Sequence, residues 1–227
     1  MFEVIFEVQP KKERWDEYLE LAKFLKPELE KIDGFIDNER FGSQRTEGRL
    51  LSLSTWRDEK AVIRWRTLAV HHGVQEKGRF EVFEDYHLRV GEITTDTHVP
   101  PGLSLQEVRF DETEVGEAKM VSITEVMPST GDKPPLPYDE LAKCLGMPAI
   151  GSNDVLDQEV FESIYNPGKL LLLASWRDAA GPQSWHPPKV AEDTGQIRNR
   201  LIRVIRDYGM WDRREAPQFY PEVKRVV

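Results

Sequence analysis

The 227-residue sequence contains a single cysteine, Cys144. One thiol forms no internal disulfide and, without a second, no cysteine metal site, so we interpret Cys144 as a small core residue. Long apolar runs are also absent, since no stretch approaches the ~20 residues that a membrane-spanning helix needs. No basic segment followed by an apolar run precedes the first strand-like residues. We therefore expect a soluble, cytoplasmic protein without a membrane partner.

Basic residues are outnumbered, with 31 Lys and Arg against 40 Asp and Glu, a formal net charge of −9 and a pI near 5.2. This balance argues against a nucleic-acid partner, which favours a basic surface. The sequence has no glycine-rich loop with nucleotide-binding spacing and no HExxH motif. Adjacent helical residues diverge by about 100°, so His71 and His72 form no chelate. We expect neither a nucleotide cofactor nor a metal.

One long segment of the chain occurs twice. LLSLSTWRDEKAVIRW at residues 50–65 returns as LLLLASWRDAAGPQSW at residues 170–185. Three shorter segments return in the same order and at nearly the same spacing: YLELAKFL as YDELAKCL, VIFEVQP as SITEVMP, and VFEDY as VIRDY. Such a regular series of repeats indicates a duplicated domain.

The first copy has the pattern of a βαββαβ unit. Apolar residues alternate at residues 1–9, and further strands are predicted at 35–41, 50–56 and 80–93. Helical spacing covers residues 13–32, with a kink or break expected at Pro27. Asp58 is the predicted N-cap of a second helix, which runs continuously past His72 to Gly78. This order is the ferredoxin-like split unit.

The fold class predicted from the duplication is α+β, with two ferredoxin-like repeats packed sheet to sheet in one chain. The predicted boundaries are residues 1–93 for the first domain, 94–118 for the linker, 119–210 for the second domain and 211–227 for a C-terminal segment. Within the linker, residues 103–110 could form an extra strand. The second copy is degenerate, because Gly181, Pro182, Pro187 and Pro188 interrupt its second helix.

These segments resemble a known family. The βαββαβ order resembles the dimeric α/β-barrel superfamily, and WRDEKAVIRW, a histidine-bearing helix and GRFEVFEDYHLRV together are similar to the antibiotic biosynthesis monooxygenase (ABM) domain family. The similarity covers residues 1–93 and, more weakly, 120–210. Single domains of that family pair through their sheets, so the resemblance implies an internal pseudo-dimer, with a homodimer of whole chains left open. Members include cofactor-independent monooxygenases of aromatic polyketides, haem-degrading enzymes and proteins of unassigned activity.

The catalytic residues of the family match this sequence in part. Haem-degrading relatives use a Trp on the second helix, matched by Trp65, but their His ten residues later falls at Gln75. Cofactor-independent members use a Trp on the third strand, matched by Trp56. Ser52 and Val62 stand where those members have an Asn and a Tyr.

The helix after Asp58 carries the predicted catalytic residues. His72 and Trp65 share a helical stripe, which the resemblance places against the substrate cavity. His72 is the predicted proton acceptor, because an imidazole titrates near neutral pH, and Trp65 offers an aromatic wall. His71 is the flanking candidate. The structural alternative is a core tryptophan and histidines bonded to backbone.

The predicted substrate-binding residues lie on strands. Asn38 and Arg40 alternate with acidic neighbours and are the polar groups best able to orient a carbonyl or phenol. Trp56, at the end of the third strand, is a further predicted substrate-binding residue. The alternative is a structural role, in which Trp56 packs beside the N-cap of the following helix. Phe83 and His87 share a face of the fourth strand, which points either to the cavity or to the interface between sheets.

The sequence thus predicts a cofactor-independent monooxygenase acting on a small aromatic or quinone-like molecule in the first-domain cavity. A haem-binding or haem-degrading enzyme of the same fold is the alternative within the enzyme class. A non-catalytic ligand-binding or structural barrel is the alternative outside it.

Overall fold

The computed structural model of the protein describes residues 1–128, 149–151, 154–184 and 195–218. The described strands are β1 (Phe2–Pro10), β2 (Phe35–Ser43), β3 (Leu50–Trp56), β4 (Phe83–Asp96), β5 (Met120–Pro128), β6 (Val155–Ser163), β7 (Leu170–Trp176) and β8 (Gly195–Gly209). The helices are α1 (Trp15–Glu30), α2 (Glu59–Thr67), α3 (Ala69–Lys77) and α4 (Ala180–Ser184), of which α4 lies in the second half of the chain. No helix within these ranges is long and apolar enough to span a membrane.

Several sequence predictions lie outside the described residues. They concern Cys144, the repeat YDELAKCL at residues 138–145, Trp185, the prolines at 187 and 188, and the chain beyond Gln218.

The strands form one closed antiparallel barrel in the order β1-β3-β2-β6-β7-β5-β8-β4. The sequence led us to expect two sheets packed face to face. In the structure the strands of the two halves instead join into one sheet, because β2 hydrogen-bonds to β6 and β4 hydrogen-bonds to β8. The β4–β8 closure is long, whereas the β2–β6 closure pairs only Phe41–Ser43 with Phe161–Ser163, and each closure covers a strand edge that could otherwise pair with another chain.

Neither face of β1 is exposed. Val4 and Phe6 point to the helices, as their alternation predicts, whereas Glu3, Ile5 and Glu7 point into the barrel. The interior is filled largely by aliphatic and aromatic side chains, including Ile5, Phe41, Leu51, Leu53, Ile93, Val121, Ile123, Phe161, Leu171, Leu173, Ile202 and Val204. Removing this apolar surface from water is the main stabilising contribution.

Charged residues also occupy the barrel interior, and they are paired. The guanidinium of Arg200 lies 2.9 Å from Glu3 and 2.7 Å from Glu125. Lys169 lies 2.8 Å from Glu125 and 2.5 Å from Glu39. A buried charge is tolerated only when it is paired and hydrogen-bonded, and these residues come from both halves of the chain. The interior charges therefore link the two halves.

The sequence predicted a kink or a break at Pro27, and helix α1 continues through this residue without a break. Pro27 lacks a backbone N–H, so the carbonyl of Lys23 loses its helical partner. Both residues are exposed, and water can satisfy that carbonyl. Tyr18, Ala22 and Leu29 are buried against the sheet and hold the helix on either side of the proline.

The second helix is not continuous, contrary to the prediction. Leu68 adopts an extended conformation (φ −62°, ψ 125°) between α2 and α3. The hydroxyl of Thr67 donates to the carbonyl of Ile63, 2.8 Å away, a local bond that competes with regular helix. The fourth strand also begins later than predicted, at Phe83, after a π-helical turn over Gly78–Val82.

The connector contains no strand at residues 103–110, although the sequence permitted one. The backbone N–H groups of Val108 and Arg109 donate to the carboxylate of Glu92, at 2.7 and 3.0 Å. Because a side chain takes up these donors, they are unavailable to a neighbouring strand.

Candidate functional site

A pocket with a volume of about 200 Å³ lies between the helices and the outer face of the barrel strands in the first half. Its walls are mainly apolar. The strands contribute Val4, Phe6, Leu88 and Val90, and the helices contribute Leu21, Leu25, Leu29 and Val62. Such a concave apolar space with a few polar groups is the usual form of a small-molecule site.

Asn38 and Arg40 line the pocket together. The side-chain amide of Asn38 donates to the hydroxyl of Ser52 at 3.1 Å and to the carbonyl of Leu53 at 2.9 Å. Arg40 donates to the hydroxyl of Tyr165 at 3.0 Å, while its Nε is buried without a hydrogen-bond partner. The alternation along β2 thus places this pair at the cavity, as the sequence allowed.

His71 lines the pocket in a fixed orientation. Its ring stacks on Trp65, which also lines the pocket, with centroids 3.9 Å apart and an angle of 16° between the planes. Its Nδ1 lies 2.9 Å from the backbone carbonyl of Trp65. A carbonyl oxygen only accepts, so Nδ1 carries the proton and Nε2 holds a free lone pair. Burial lowers the pKa of His71 to about 4, which keeps the ring neutral near pH 7.

His72 does not line the pocket, which corrects the predicted stripe. The stripe assumed an unbroken helix, but the extended conformation of Leu68 changes the direction of the chain between Trp65 and the histidines. His71 therefore takes the position predicted for His72.

Trp56 also lies away from the pocket. It is fully buried, and its indole N–H donates to the hydroxyl of Ser54 at 2.9 Å. Trp176 occupies the equivalent place in the second half, where it donates to Ser122 at 2.9 Å. The two serines differ in position, since Ser54 is on the same strand as Trp56 and Ser122 is on β5. Both tryptophans are nevertheless buried and hydrogen-bonded, which supports the packing role that the sequence offered for Trp56 as the alternative.

Phe83 and His87 point to opposite faces of β4. Phe83 lines the pocket, whereas His87 lies 2.6 Å from Asp207 and 3.7 Å from Glu7, on the barrel side. A regular strand would place both side chains on one face, but the pairing of β1 with β4 shifts between Gln9 and Pro10, next to Phe83. That irregularity turns Phe83 towards the helices.

The second half of the chain completes the pocket. β8 contributes Arg206 and Tyr208, and the segment that follows contributes Arg213, Pro217 and Gln218. Burial raises the pKa of Tyr208 to about 12, so its hydroxyl stays protonated. Sequence reasoning missed these residues, although the repeat of VFEDY as VIRDY marks Tyr208 as the counterpart of Tyr86, another lining residue. No group of three His, Cys, Asp or Glu residues able to hold a metal occurs in the part of the chain that the structure describes.

A closed antiparallel barrel with helices on its outer face and a pocket beneath them defines the class as α+β barrel proteins. Within that class, the model of the antibiotic biosynthesis monooxygenase family matches residues 1–77. The chain is 43% identical over 225 residues to the Jasmonate monooxygenase ABM of Pyricularia oryzae, covering 97% of this chain and 99% of that protein. The chain belongs to the antibiotic biosynthesis monooxygenase family, which confirms the resemblance read from the sequence.

Two solved structures share the barrel. An aldoxime dehydratase in complex with butyraldoxime matches with a TM-score of 0.56 at 10% identity, covering 90% of this chain and 79% of that one. A second aldoxime dehydratase structure matches with a TM-score of 0.53, also at 10% identity, covering 90% and 81%. At this identity the likeness concerns the fold alone.

Proposed function

We propose that the protein is a monooxygenase that oxidises a small, mainly apolar organic molecule in this pocket, and that it needs no bound cofactor. Membership of the family and the 43% identical relative named as a monooxygenase support the reaction class. The observation that carries the proposal is the convergence of His71, Asn38 and Arg40 on one apolar cavity. The candidate substrates are aromatic or quinol-like molecules and, from the name of the relative, jasmonate.

The proposed chemistry begins with a substrate that forms an anion readily. The free lone pair of His71 Nε2 accepts the proton, and a low imidazole pKa restricts this step to acidic protons. Arg40 and the amide of Asn38 stabilise the negative charge that develops on oxygen. The anion then reacts with O₂. For an activated methylene group, one oxygen atom becomes the product carbonyl and the other leaves as water, so the substrate supplies all the electrons.

The second half of the chain closes this site. We propose that the chain is an internal pseudo-dimer of two ferredoxin-like repeats. The order β4-β1-β3-β2 in the first half and β8-β5-β7-β6 in the second supports this interpretation. In this arrangement the second repeat acts as the partner subunit, because Arg206 and Tyr208 line a pocket built mainly by the first.

The test is oxygen consumption by the purified protein with anthrone-type substrates, quinols and jasmonate, without added reductant or metal. The proposal expects uptake of O₂ with at least one substrate and a product that carries one oxygen atom from labelled O₂. Uptake that strictly requires an added reductant would disprove the cofactor-independent part. Absence of uptake under all conditions, with intact folding, would favour a non-catalytic binding protein.

One observation favours the haem-binding alternative. Histidines that bind metals commonly donate their other ring N–H to a backbone carbonyl, and His71 makes this bond to Trp65. When bound, haem would supply oxygen activation, with His71 Nε2 as its protein ligand. A haemin titration tests the alternative: a Soret shift at one equivalent that is lost in His71→Ala and kept in His72→Ala would support it.

A further inference from the structure

Six cationic side chains stand in the mainly apolar wall of the pocket. Among the described residues, Lys26 and five arginines line it, namely Arg40, Arg66, Arg79, Arg206 and Arg213, against one carboxylate, Glu59. That carboxylate is already bound by Arg109, with oxygens 2.6 and 2.8 Å from one guanidinium nitrogen. A net charge of −9 makes this local excess of positive charge unusual, and such a concentration attracts an anion.

Arg66 and Arg206 form no direct ion pair with a carboxylate within the described residues, although Glu59 attracts Arg66 and Asp111 attracts Arg206 from farther away. The guanidinium of neither residue forms an ion pair or hydrogen bond in this part of the chain, and the Nε of Arg66 is buried and unbonded. Both residues are half-buried. The barrel interior is different, because Arg49, Arg89 and Arg200 each pair with a carboxylate there.

The two side chains act on each other across the pocket wall. Burial lowers the pKa of Arg66, and the positive charge of Arg206 lowers it further, against the opposing effects of Tyr208 and Glu59. Two like charges that share a sheltered site repel each other, and a bound anion relieves this repulsion. The backbone around them is fixed, since Gln218 donates to the carbonyl of Arg66 at 2.9 Å and β8 pairs with β4.

We propose that Arg66 and Arg206 form a carboxylate-binding site, so that the substrate of this pocket is an apolar molecule that carries a carboxylate. The inference rests on the proposed function, because it concerns the same pocket. Guanidinium groups suit this ligand, since they bind a carboxylate through two parallel hydrogen bonds. The apolar body of the substrate then lies along the wall formed by Leu25, Val62 and Leu88, and its carboxylate lies at the end contributed by α2 and β8.

The test compares acids with their methyl esters by titration calorimetry. The probes are jasmonic, octanoic and phenylacetic acid, each beside its ester, with the wild type and with the double variant Arg66→Met/Arg206→Met. Charge-assisted hydrogen bonds contribute ~1.5–3 kcal/mol, so we expect at least one acid to bind about 10- to 100-fold more tightly than its ester. In the double variant this ratio falls to about 1.

Arg64→Met is the matched control, because Arg64 lies on the same helix, carries the same charge and faces Asp33 outside the pocket.

The proposal is overturned if no acid binds more tightly than its ester, or if the preference survives in the double variant. Unfolding curves of each variant exclude loss of structure as the cause. Oxygen uptake on the same probes separates the two proposals. If an ester is oxidised as readily as its acid, the carboxylate site is ruled out and the proposed monooxygenase activity stands. If an acid binds more tightly than its ester but is not oxidised, the carboxylate site stands and the proposed activity is ruled out.

Discussion

His71 and His72 are neighbours in sequence with different surroundings. His71 is fixed by its stack on Trp65 and by the bond to the Trp65 carbonyl, whereas His72 does not line the pocket. We expect His71→Ala to lower kcat/KM about 100-fold, as for loss of a positioned proton acceptor. His72→Ala should change it less than about threefold. Steady-state oxygen uptake measures both, and equal losses would remove the role assigned to His71.

Glu3 and Glu125 contact the same guanidinium but differ in pKa. Burial raises the pKa of Glu3 to about 7, against the attraction of Arg200. Burial also acts on Glu125, but Arg200 and Lys169 outweigh it and lower its pKa. At neutral pH Glu3 is therefore partly protonated, and a glutamine resembles that form. We expect Glu3→Gln to cost at least ~1 kcal/mol less in the free energy of unfolding than Glu125→Gln, by urea denaturation at pH 7.

The protonation of Glu3 makes the free energy of unfolding depend on pH in a predictable direction. Between pH 4.5 and about 7 the folded state holds a proton that the unfolded state has released. The contribution of this group to the free energy of unfolding therefore falls as the pH rises through that window. Glu3→Gln removes this slope, so the unfolding free energy of the variant should decline less between pH 5 and 7. An unchanged slope would show that other groups cause it.

At the scale of single elements, helix α2 begins at an aspartate N-cap, and an aspartate also precedes the corresponding short helix in the second half of the chain. The carboxylate of Asp58 accepts from the N–H of Ala61 at 2.9 Å, and α2 then presents Trp65 and Arg66 to the pocket. Its counterpart Asp178 accepts from Ala180 at 2.8 Å, ahead of the short helix α4. We expect Asp58→Ala to cost about 1 kcal/mol in the free energy of unfolding and Asp178→Ala clearly less. Chemical denaturation of the two variants gives the comparison.

The sequence allowed most elements of the first half to be predicted, because each has a local signal. The alternation of β1, the turn before β3 and the cap at Asp58 are all visible within a few residues. The break at Leu68 has no such signal, since leucine is a good helix former and neither glycine nor proline is adjacent. One unpredicted break was enough to exchange the places of His71 and His72.

The remaining part of the site depends on contacts far apart in the chain. Arg206 and Tyr208 reach the pocket because β8 pairs with β4, with Leu88 opposite Tyr208. No local pattern encodes that register. The charged barrel interior was likewise hidden, since Glu3 and Glu7 alternate with apolar residues and look like the solvent face of a strand.

At the scale of the whole molecule, the barrel closes along β4–β8 and β2–β6, and each closure contains a glycine. A Cβ at Gly91 would lie 2.2 Å from Ile202 Cγ2 and 2.5 Å from the carbonyl oxygen of Arg203, both on β8. At Gly42, on β2, a Cβ would meet nothing within 4 Å. We expect Gly91→Ala to lower the free energy of unfolding by about 3 kcal/mol or more, and Gly42→Ala by less than ~0.5 kcal/mol. Similar losses in both variants would contradict the described closure.

The partnership of β4 with β8 has a consequence for biosynthesis. A ribosome adds residues from the N-terminus onwards, so the first four strands leave the exit tunnel long before β8 exists. During that interval the edges of β2 and β4 are unpaired, and the cavity lacks the wall that carries Arg206. The barrel closes only after residue 209 has emerged, since β8 ends there. Pairings this distant in sequence form slowly and leave unpaired strand edges exposed, so we expect the nascent chain to be more prone to aggregation than the closed barrel.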